Sequence, residues 1–501
     1  MPDYKKLQNG SDIRGVAIAV EGGKPVDLTE EAVRAIGGAF AAWLKQHAGA
    51  HAKRVSIGRD SRLSGEQLAA WLADGLSAAG MEVTDFGLCT TPAMFMSTVM
   101  EGWAFDGAVM ITASHLPFER NGFKFFTAKG GLEKQDIAEI LATAGAGSFP
   151  AGSAAPAARA DFLPAYAEML REKIRSATGM EQPLAGLRIL VDAGNGAGGF
   201  FAGEVLAPLG ADTTGSQFLL PDGRFPNHAP NPENAAAMES VRAAVLANKA
   251  DFGIIFDTDV DRAGAVLADG SELNRNRLIA ILAAILLREH PGTTIVTDSI
   301  TSTGLASFID AHGGIHRRFK RGYRNVINEA IRLCAAGQDA QMAIETSGHG
   351  ALRENYFLDD GAYLMVKLLI ELARAKKEGR TLESLLAGLK EPAESMEFRM
   401  PLLAEDFAAY GSEVISALTE YAKAQPGWTL ASPNYEGVRV SLDAQHGDGW
   451  FLLRLSLHDP LMPLNIESDS AGGTKKIAAA LAGFLAGFEK LDSASLAEFA
   501  E

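Results

Sequence analysis

One pattern recurs along the chain: a short β-branched and apolar run, a polar or glycine-rich loop, then a stretch with apolar residues three and four apart. Residues 54–58 lead through Arg59-Asp-Ser-Arg62 into a predicted helix opening near Ser64, where Ser64, Glu66 and Gln67 have cap spacing. Residues 107–111 (Gly-Ala-Val-Met-Ile) run into the loop of ITASHLPFERNGFK, which holds a serine, a histidine, an arginine and a lysine. Residues 187–192 enter Ala-Gly-Asn-Gly-Ala-Gly-Gly199 and then an apolar helix, and residues 251–256 enter Asp257-Thr-Asp-Val-Asp-Arg262. Residues 293–297 precede a helix from Thr303, and residues 341–344 enter Glu345-Thr-Ser-Gly-His-Gly350 ahead of a long helix over 360–376. Such alternation predicts α/β layers with the loops at the strand ends.

The rhythm changes twice. Residues 142–160 are rich in Ala, Gly, Pro and Ser, and read as a surface connection closing a first domain. Beyond Glu391 a helix over 407–424, strands over 438–442 and 450–457, and a last helix over 471–485 predict a separate α+β domain.

Composition narrows the function. With 501 residues the chain exceeds one core and predicts about three or four domains. A net charge of −16 argues against nucleic-acid or anionic-membrane partners, so any anion must be held by local arginines and lysines. No stretch has the apolar length of a membrane span, the start lacks a signal-peptide core, and Cys89 and Cys334 are too few for a disulfide framework. The expected compartment is the cytoplasm.

Two loops invite specific chemistry. Asp257, Asp259 and Asp261 alternate at a strand end, where a curled loop turns three carboxylates toward one hard cation. An EF-hand is excluded, because its sixth and twelfth positions would hold Arg262 and Ala268. Gly194-Asn-Gly196-Ala-Gly-Gly199 matches the dinucleotide fingerprint and raises the rival reading of an NAD(P)-dependent dehydrogenase. Against it, Asp192 stands where a pyrophosphate would approach.

Taken in order, Thr112-Ala-Ser-His-Leu-Pro with Asn121-Gly-Phe-Lys124, Asp257 to Arg262, Glu345-Thr-Ser-Gly-His349 and Arg454-Leu-Ser-Leu-His-Asp-Pro460 resemble the four signature loops of the α-D-phosphohexomutases, of phosphomannomutase/phosphoglucomutase type. Asp12-Ile-Arg-Gly15, Val55 to Ser64, Thr91-Pro92 and Asp192 to Gly196 extend the resemblance nearly end to end. It implies three similar α/β domains with mixed sheets and a smaller C-terminal α+β domain of TATA-binding-protein-like topology around a central cleft. The expected boundaries are 1–160, 161–272, 273–390 and 391–501, each with one signature loop.

The resemblance further implies exchange between hexose 1-phosphate and hexose 6-phosphate through a phosphoserine and a hexose 1,6-bisphosphate, with Mg²⁺ as cofactor. Ser114 would carry the phosphoryl group and, with Asp257, Asp259 and Asp261, hold the metal. Arg262 would stabilise the phosphoserine. His349, Lys124, Arg14 and His115 are the candidates for proton transfer, His349 by virtue of an ordinary imidazole pKa. Glu345, Ser347, Lys320 and Tyr323 would meet the sugar, and Arg454, Ser456 and His458 its resting phosphate. A family member without turnover, serving as a sugar-phosphate binder, is the alternative to a mutase. The chain departs from the family at Leu116, where the loop usually has Asn, at Tyr323 in place of His, and at Leu457-His458-Asp459, where small polar residues are usual. These departures bear on the hexose preferred more than on the reaction.

Overall fold

The computed structural model describes residues 3–147, 156–456 and 459–501. They divide into two compact units: Met1–Ile285 with Ser347–Leu385, and Leu286–Thr346 with Leu386–Glu501.

The first unit holds two mixed sheets. In the larger, Arg54–Arg59 lies between the parallel strands Glu82–Leu88 and Gly107–Ile111, and Gly107–Ile111 then pairs antiparallel with Arg120–Thr127. Arg120–Thr127 also pairs antiparallel with Asp12–Val16. Helix Glu30–His47, capped by the Thr29 side chain on Ala32 N, buries Ile36, Phe40 and Leu44 among Val55, Ile57, Val109 and Phe125. A cap of this kind is worth about 1 kcal/mol, and each large apolar side chain buried adds roughly 1.5–3 kcal/mol. In the smaller sheet Ile189–Asp192 runs parallel to Phe252–Phe256, which pairs antiparallel with Ala263–Leu267. A short hairpin of Gly350–Leu352 and Leu358–Asp359 precedes helix Gly361–Glu378.

In the second unit Thr294–Thr297 lies between two parallel partners, Ile315–Arg318 and Ala340–Ile344. A five-stranded antiparallel sheet follows, ordered Glu394–Pro401, Leu461–Ser468, Gly449–Leu453, Val438–Leu442, Trp428–Leu430. Helices Phe407–Lys423 and Gly473–Leu485 cover its apolar face, built on Val440, Phe451, Leu453, Leu464 and Ile466.

Several expectations need correction. Lys124 lies within strand Arg120–Thr127 and not in a loop, because the backbone pairs on both sides and the six interior residues are all buried. Ser64 precedes helix Gly65–Ala78 without capping it, since its hydroxyl is engaged by the Asn121 amide at 2.9 Å. The helix after Gly199 is a π-type turn over Phe201–Leu206 running into a 3₁₀ turn over Ala207–Leu209, with Pro208 inside it. The strand expected over 450–457 leaves the sheet after Leu453.

Candidate functional site

Ser114 and the three aspartates each follow a strand's carboxyl end, where α/β sheets place their ligands, while Arg14 and Lys124 lie within strands. Ser114 comes after Gly107–Ile111, Asp60 and Arg62 after Arg54–Arg59, and Asp257, Asp259 and Asp261 after Phe252–Phe256. Both reactive loops contain a residue in the left-handed region, Ser114 at φ +52° and Val260 at φ +68°. For a β-branched valine that conformation is an outlier, and such sites cost on the order of 1–3 kcal/mol each.

The two loops meet. Ser114 Oγ donates to Asp257 Oδ2 at 3.1 Å and receives Arg262 Nη2 at 3.2 Å. Arg262 is fully buried and also donates through Nε to Asp257 Oδ2 at 3.2 Å. Its Nη2 lies 2.7 Å from His115 Nδ1, and since a guanidinium only donates, Nδ1 accepts and the ring proton sits on Nε2. Enclosure of that side of His115, and then the Arg262 charge, push its pKa well below the ordinary value. Arg14 adds to the same positive field, its Nη2 paired with Asp12 at 2.7 Å.

Asp257, Asp259 and Asp261 are fully buried, and each offers a carboxylate oxygen within 4.8 Å of the others. Lys124 Nζ donates to Asp259 Oδ2 at 3.2 Å and to Asp261 Oδ2, while Thr91 Oγ1 donates to Asp259 Oδ2 at 2.5 Å. Burial and the neighbouring carboxylates raise Asp257 well above the usual range. Burial also pushes Asp261 up, but Lys124, His349 and Arg262 outweigh it and hold that carboxyl below its ordinary value. Asp259 Oδ1 and Asp261 Oδ1 accept no hydrogen bond among the described residues. Three hard oxygen donors with two buried oxygens left open suit a divalent cation such as Mg²⁺.

His349 adjoins this centre through a backbone bridge to Arg262. Its Nδ1 lies 2.6 Å from Asp359 Oδ2 and 3.8 Å from Asp261 Oδ1. Burial opposes the charged ring, yet the two carboxylates prevail and carry its pKa up to about 9. The ordinary pKa expected for His349 is thereby overturned: at neutral pH the ring is an imidazolium. Ser347 is buried in the same unit.

In the second unit Glu345 and Glu436 tie down the loop of residues 320–323. Glu345 Oε1 accepts Gly322 N at 2.6 Å, tying down the loop that carries exposed Lys320 and half-buried Tyr323. Glu436 accepts Arg321 N at 3.1 Å and the Ser299 hydroxyl. Arg454 is only 5% exposed, its Nε is unpartnered, and no hydrogen bond to its guanidinium occurs among the described residues. Burial and Arg321 lower its pKa. Ser456 Oγ accepts Asp459 N at 3.3 Å, whereas His458 and Leu457 lie outside the described residues.

Residues 5–150, 164–270 and 274–392 match family models described as Phosphoglucomutase/phosphomannomutase, alpha/beta/alpha domains I, II and III. A phosphoglucomutase of Neisseria gonorrhoeae is 31% identical over 468 residues, covering 93% of this chain and 94% of that protein. The chain belongs to the phosphoglucomutase/phosphomannomutase family. A phosphomannomutase/phosphoglucomutase of Pseudomonas putida is 31% identical over 427 residues, 85% of each chain. The crystal structure of a phosphoglucomutase/phosphomannomutase family protein from Burkholderia thailandensis superposes with a TM-score of 0.79 at 28% identity, covering 98% of this chain and 100% of that one. Members of this family are phosphohexomutases, isomerases acting as intramolecular phosphotransferases.

Family membership leaves the glycine loop to be explained by packing. Gly194 N donates to Asp192 Oδ1, Asn195 N to Phe218 O, Gly196 N to Ala193 O and Ala197 N to Thr258 O. With these four amides committed to the chain, the first part of the glycine loop has no free donors for a dinucleotide pyrophosphate. A Cβ on Gly196 would sit 2.7 Å from Thr258 O, so the glycine lets this loop close on the aspartate loop. Sequence reading gave no role to Asp60, Arg62, Thr91, Asp359 or Glu436, all of which engage the site residues or their loops. Their signal was positional: Arg62 and Thr91 each follow a sheet strand, and Asp359 directly precedes the Asp360 that caps a helix.

Proposed function

We propose that the chain interconverts hexose 1-phosphates and hexose 6-phosphates, of glucose and/or mannose, through a phosphoserine at Ser114 and a hexose 1,6-bisphosphate. The observation that carries this reading is Ser114 Oγ, on a left-handed backbone, held between Asp257 and Arg262 beside three buried carboxylates with open oxygens. A phosphoserine carries nearly two negative charges, and a second phosphate approaches it only if cations screen them.

In the first half-reaction the bond from Ser114 Oγ to phosphorus breaks as the sugar's free hydroxyl takes the phosphoryl group. The hydroxyl gives up its proton and Ser114 Oγ receives one. The bisphosphate then turns round, and its other phosphate returns to Ser114 by the same step reversed. Arg262 and the Nε2–H of His115 donate to the phosphoryl oxygens. His349, protonated and fixed at Nδ1 by Asp359, supplies a proton through Nε2 to the departing oxygen and, once neutral, takes one from the attacking hydroxyl. Lys124 and Arg14 complete the positive side. Asp257, Asp259, Asp261 and the Ser114 side chain would hold Mg²⁺, which when bound draws charge from the phosphoryl group.

For the sugar hydroxyls we propose Glu345 and Ser347, with Lys320 and Tyr323, and for the resting phosphate Arg454, Ser456 and His458. Arg454 supports this assignment, because a buried guanidinium without an acceptor matches an absent anion. We also propose domains 1–160, 161–272, 273–390 and 391–501, and a cytoplasmic location, supported by free Cys89 and Cys334. Among the described residues no helix is long and apolar enough to cross a membrane.

The test is a coupled assay with Mg²⁺ and a trace of hexose 1,6-bisphosphate, offering glucose, mannose, glucosamine and N-acetylglucosamine 1-phosphates to the native chain and to Ser114→Ala. Turnover of glucose or mannose phosphate that collapses in the variant bears the reading out. Absence of turnover with Ser114 phosphorylated overturns it in favour of a sugar-phosphate-binding protein.

A further inference from the structure

The loop that carries Ser114 is closed around a side chain from elsewhere in the sheet. Arg62 Nη2 donates to Ser114 O and Leu116 O at 2.5 Å each, and Nη1 to Pro117 O at 2.8 Å and Arg120 O at 2.9 Å. Its Nε lies 3.4 Å from Asp60 Oδ2. The two η nitrogens thus make four hydrogen bonds to backbone carbonyls while Nε makes an ion-pair contact and no hydrogen bond, and the residue is only 2% exposed. Asp60 grips the loop's other end: Oδ2 accepts Thr112 Oγ1 at 2.7 Å, and Thr112 Oγ1 accepts Ser114 N at 2.8 Å. Ser114 is thus held through its N–H by way of Thr112 and through its carbonyl by way of Arg62. Those two contacts flank the φ of +52° that aims its hydroxyl.

The clamp is sealed from the side. The Phe225 ring faces the Arg62 guanidinium, its centroid 5.4 Å from Cζ, and a Cβ on neighbouring Gly223 would lie 2.4 Å from Ser61 O and 2.7 Å from Arg62 Cα. Four carbonyl oxygens converging on one buried point repel one another unless a planar, multiply donating cation sits among them. Lysine offers three donors on a single nitrogen and cannot reproduce that fork.

We propose that Arg62 is a positioning residue for phosphoryl transfer, setting the direction of Ser114 Oγ through the carbonyls of its loop without touching phosphate or sugar. This rests on the phosphoserine mutase reading. Misplacing a reacting atom by about 1 Å costs on the order of 100-fold in rate, so the clamp acts on kcat and leaves substrate affinity alone.

The experiment compares native enzyme, Arg62→Lys and Asp60→Asn as full chains, charged with ³²P from glucose 1,6-bisphosphate so that turnover is counted per phosphorylated serine. The expected result is a KM for hexose 1-phosphate within about twofold of native, with kcat per phosphoserine down about 100-fold in Arg62→Lys and about tenfold in Asp60→Asn. The ³¹P resonance of the phosphoserine shifts or broadens with them. A kcat per phosphoserine within threefold of native in a folded variant overturns the inference, and so does a KM that rises while kcat holds, since that marks Arg62 as a ligand. If Arg62→Lys does not fold, Asp60→Asn decides on the same criteria. An inert native chain instead sinks the mutase reading itself, an outcome separate from an active native enzyme with indifferent variants.

Discussion

Two buried arginines set the two halves of the molecule against each other. Arg62, in the first unit, donates from both η nitrogens to four backbone carbonyls; Arg454, in the second, is almost as deeply buried, yet its guanidinium donates to no described residue. A buried charge is costly unless it is paired, so Arg62 fits a structural role and Arg454 fits the anion-binding role proposed for it. In the aspartate loop of the first unit the open atoms have the opposite sign: Asp259 Oδ1 and Asp261 Oδ1 accept no hydrogen bond among the described residues. At these two sites unpartnered carboxylate oxygens suit a cation and an unpartnered guanidinium suits an anion, as the proposed function requires.

The largest test of that contrast is removal of the cation. Chelation with EDTA, or Asp259→Asn, is expected to lower turnover at least about 100-fold, with excess Mg²⁺ restoring the chelated native enzyme but not the variant. Activity that survives exhaustive chelation would leave the open carboxylate oxygens without their ligand. Next comes stability. Arg62→Met strands four backbone carbonyls and buried Asp60, and should lower unfolding free energy by about 3–5 kcal/mol in urea titration. Arg454→Met removes an unpaired buried charge and should be neutral or stabilising by about 1–2 kcal/mol. Changes of the same sign at both positions would abolish the distinction. The same Arg454→Met protein is expected to raise KM for hexose 1-phosphate roughly 10–100-fold with kcat little altered, which initial-rate measurements will show.

The contrast was only half visible in the sequence. Acidic alternation at a strand end marked the three aspartates as a possible cation site, and the order of the four signature loops, a resemblance, singled out Ser114. Arg454 was legible by resemblance, but its lack of a partner is a fact of packing. Arg62 was passed over because its acceptors are backbone carbonyls, 52 to 58 residues on, that no side-chain pattern announces. Lys124 was misplaced into a loop as the end of the polar stretch after Ile111, whereas pairing with Asp12–Val16 and Gly107–Ile111 keeps Arg120–Thr127 extended. The ordinary pKa expected for His349 failed for a related reason: Asp359 lies ten residues on, and only the hairpin brings it to Nδ1.

That histidine gives the smallest and most discriminating prediction. Its folded pKa of about 9 exceeds the unfolded value of about 6.5, because Asp359 and Asp261 overcome burial while Arg262 opposes them. A raised pKa contributes stability that is complete below about pH 6.5 and is lost as pH rises through about 9, and here it amounts to about 1–3 kcal/mol. Metal-free protein should therefore lose that much unfolding free energy between pH 6.5 and 9.5, and Asp359→Asn should flatten the slope. Equal slopes in the two proteins would show that Asp359 does not hold the charge. A divalent cation on Asp261 cancels part of the field that raises the imidazole, so an NMR titration of His349 with Mg²⁺ should move below the value found in EDTA. The group that is a fixed imidazolium without metal is thereby brought nearer neutrality, where it can both give and take a proton.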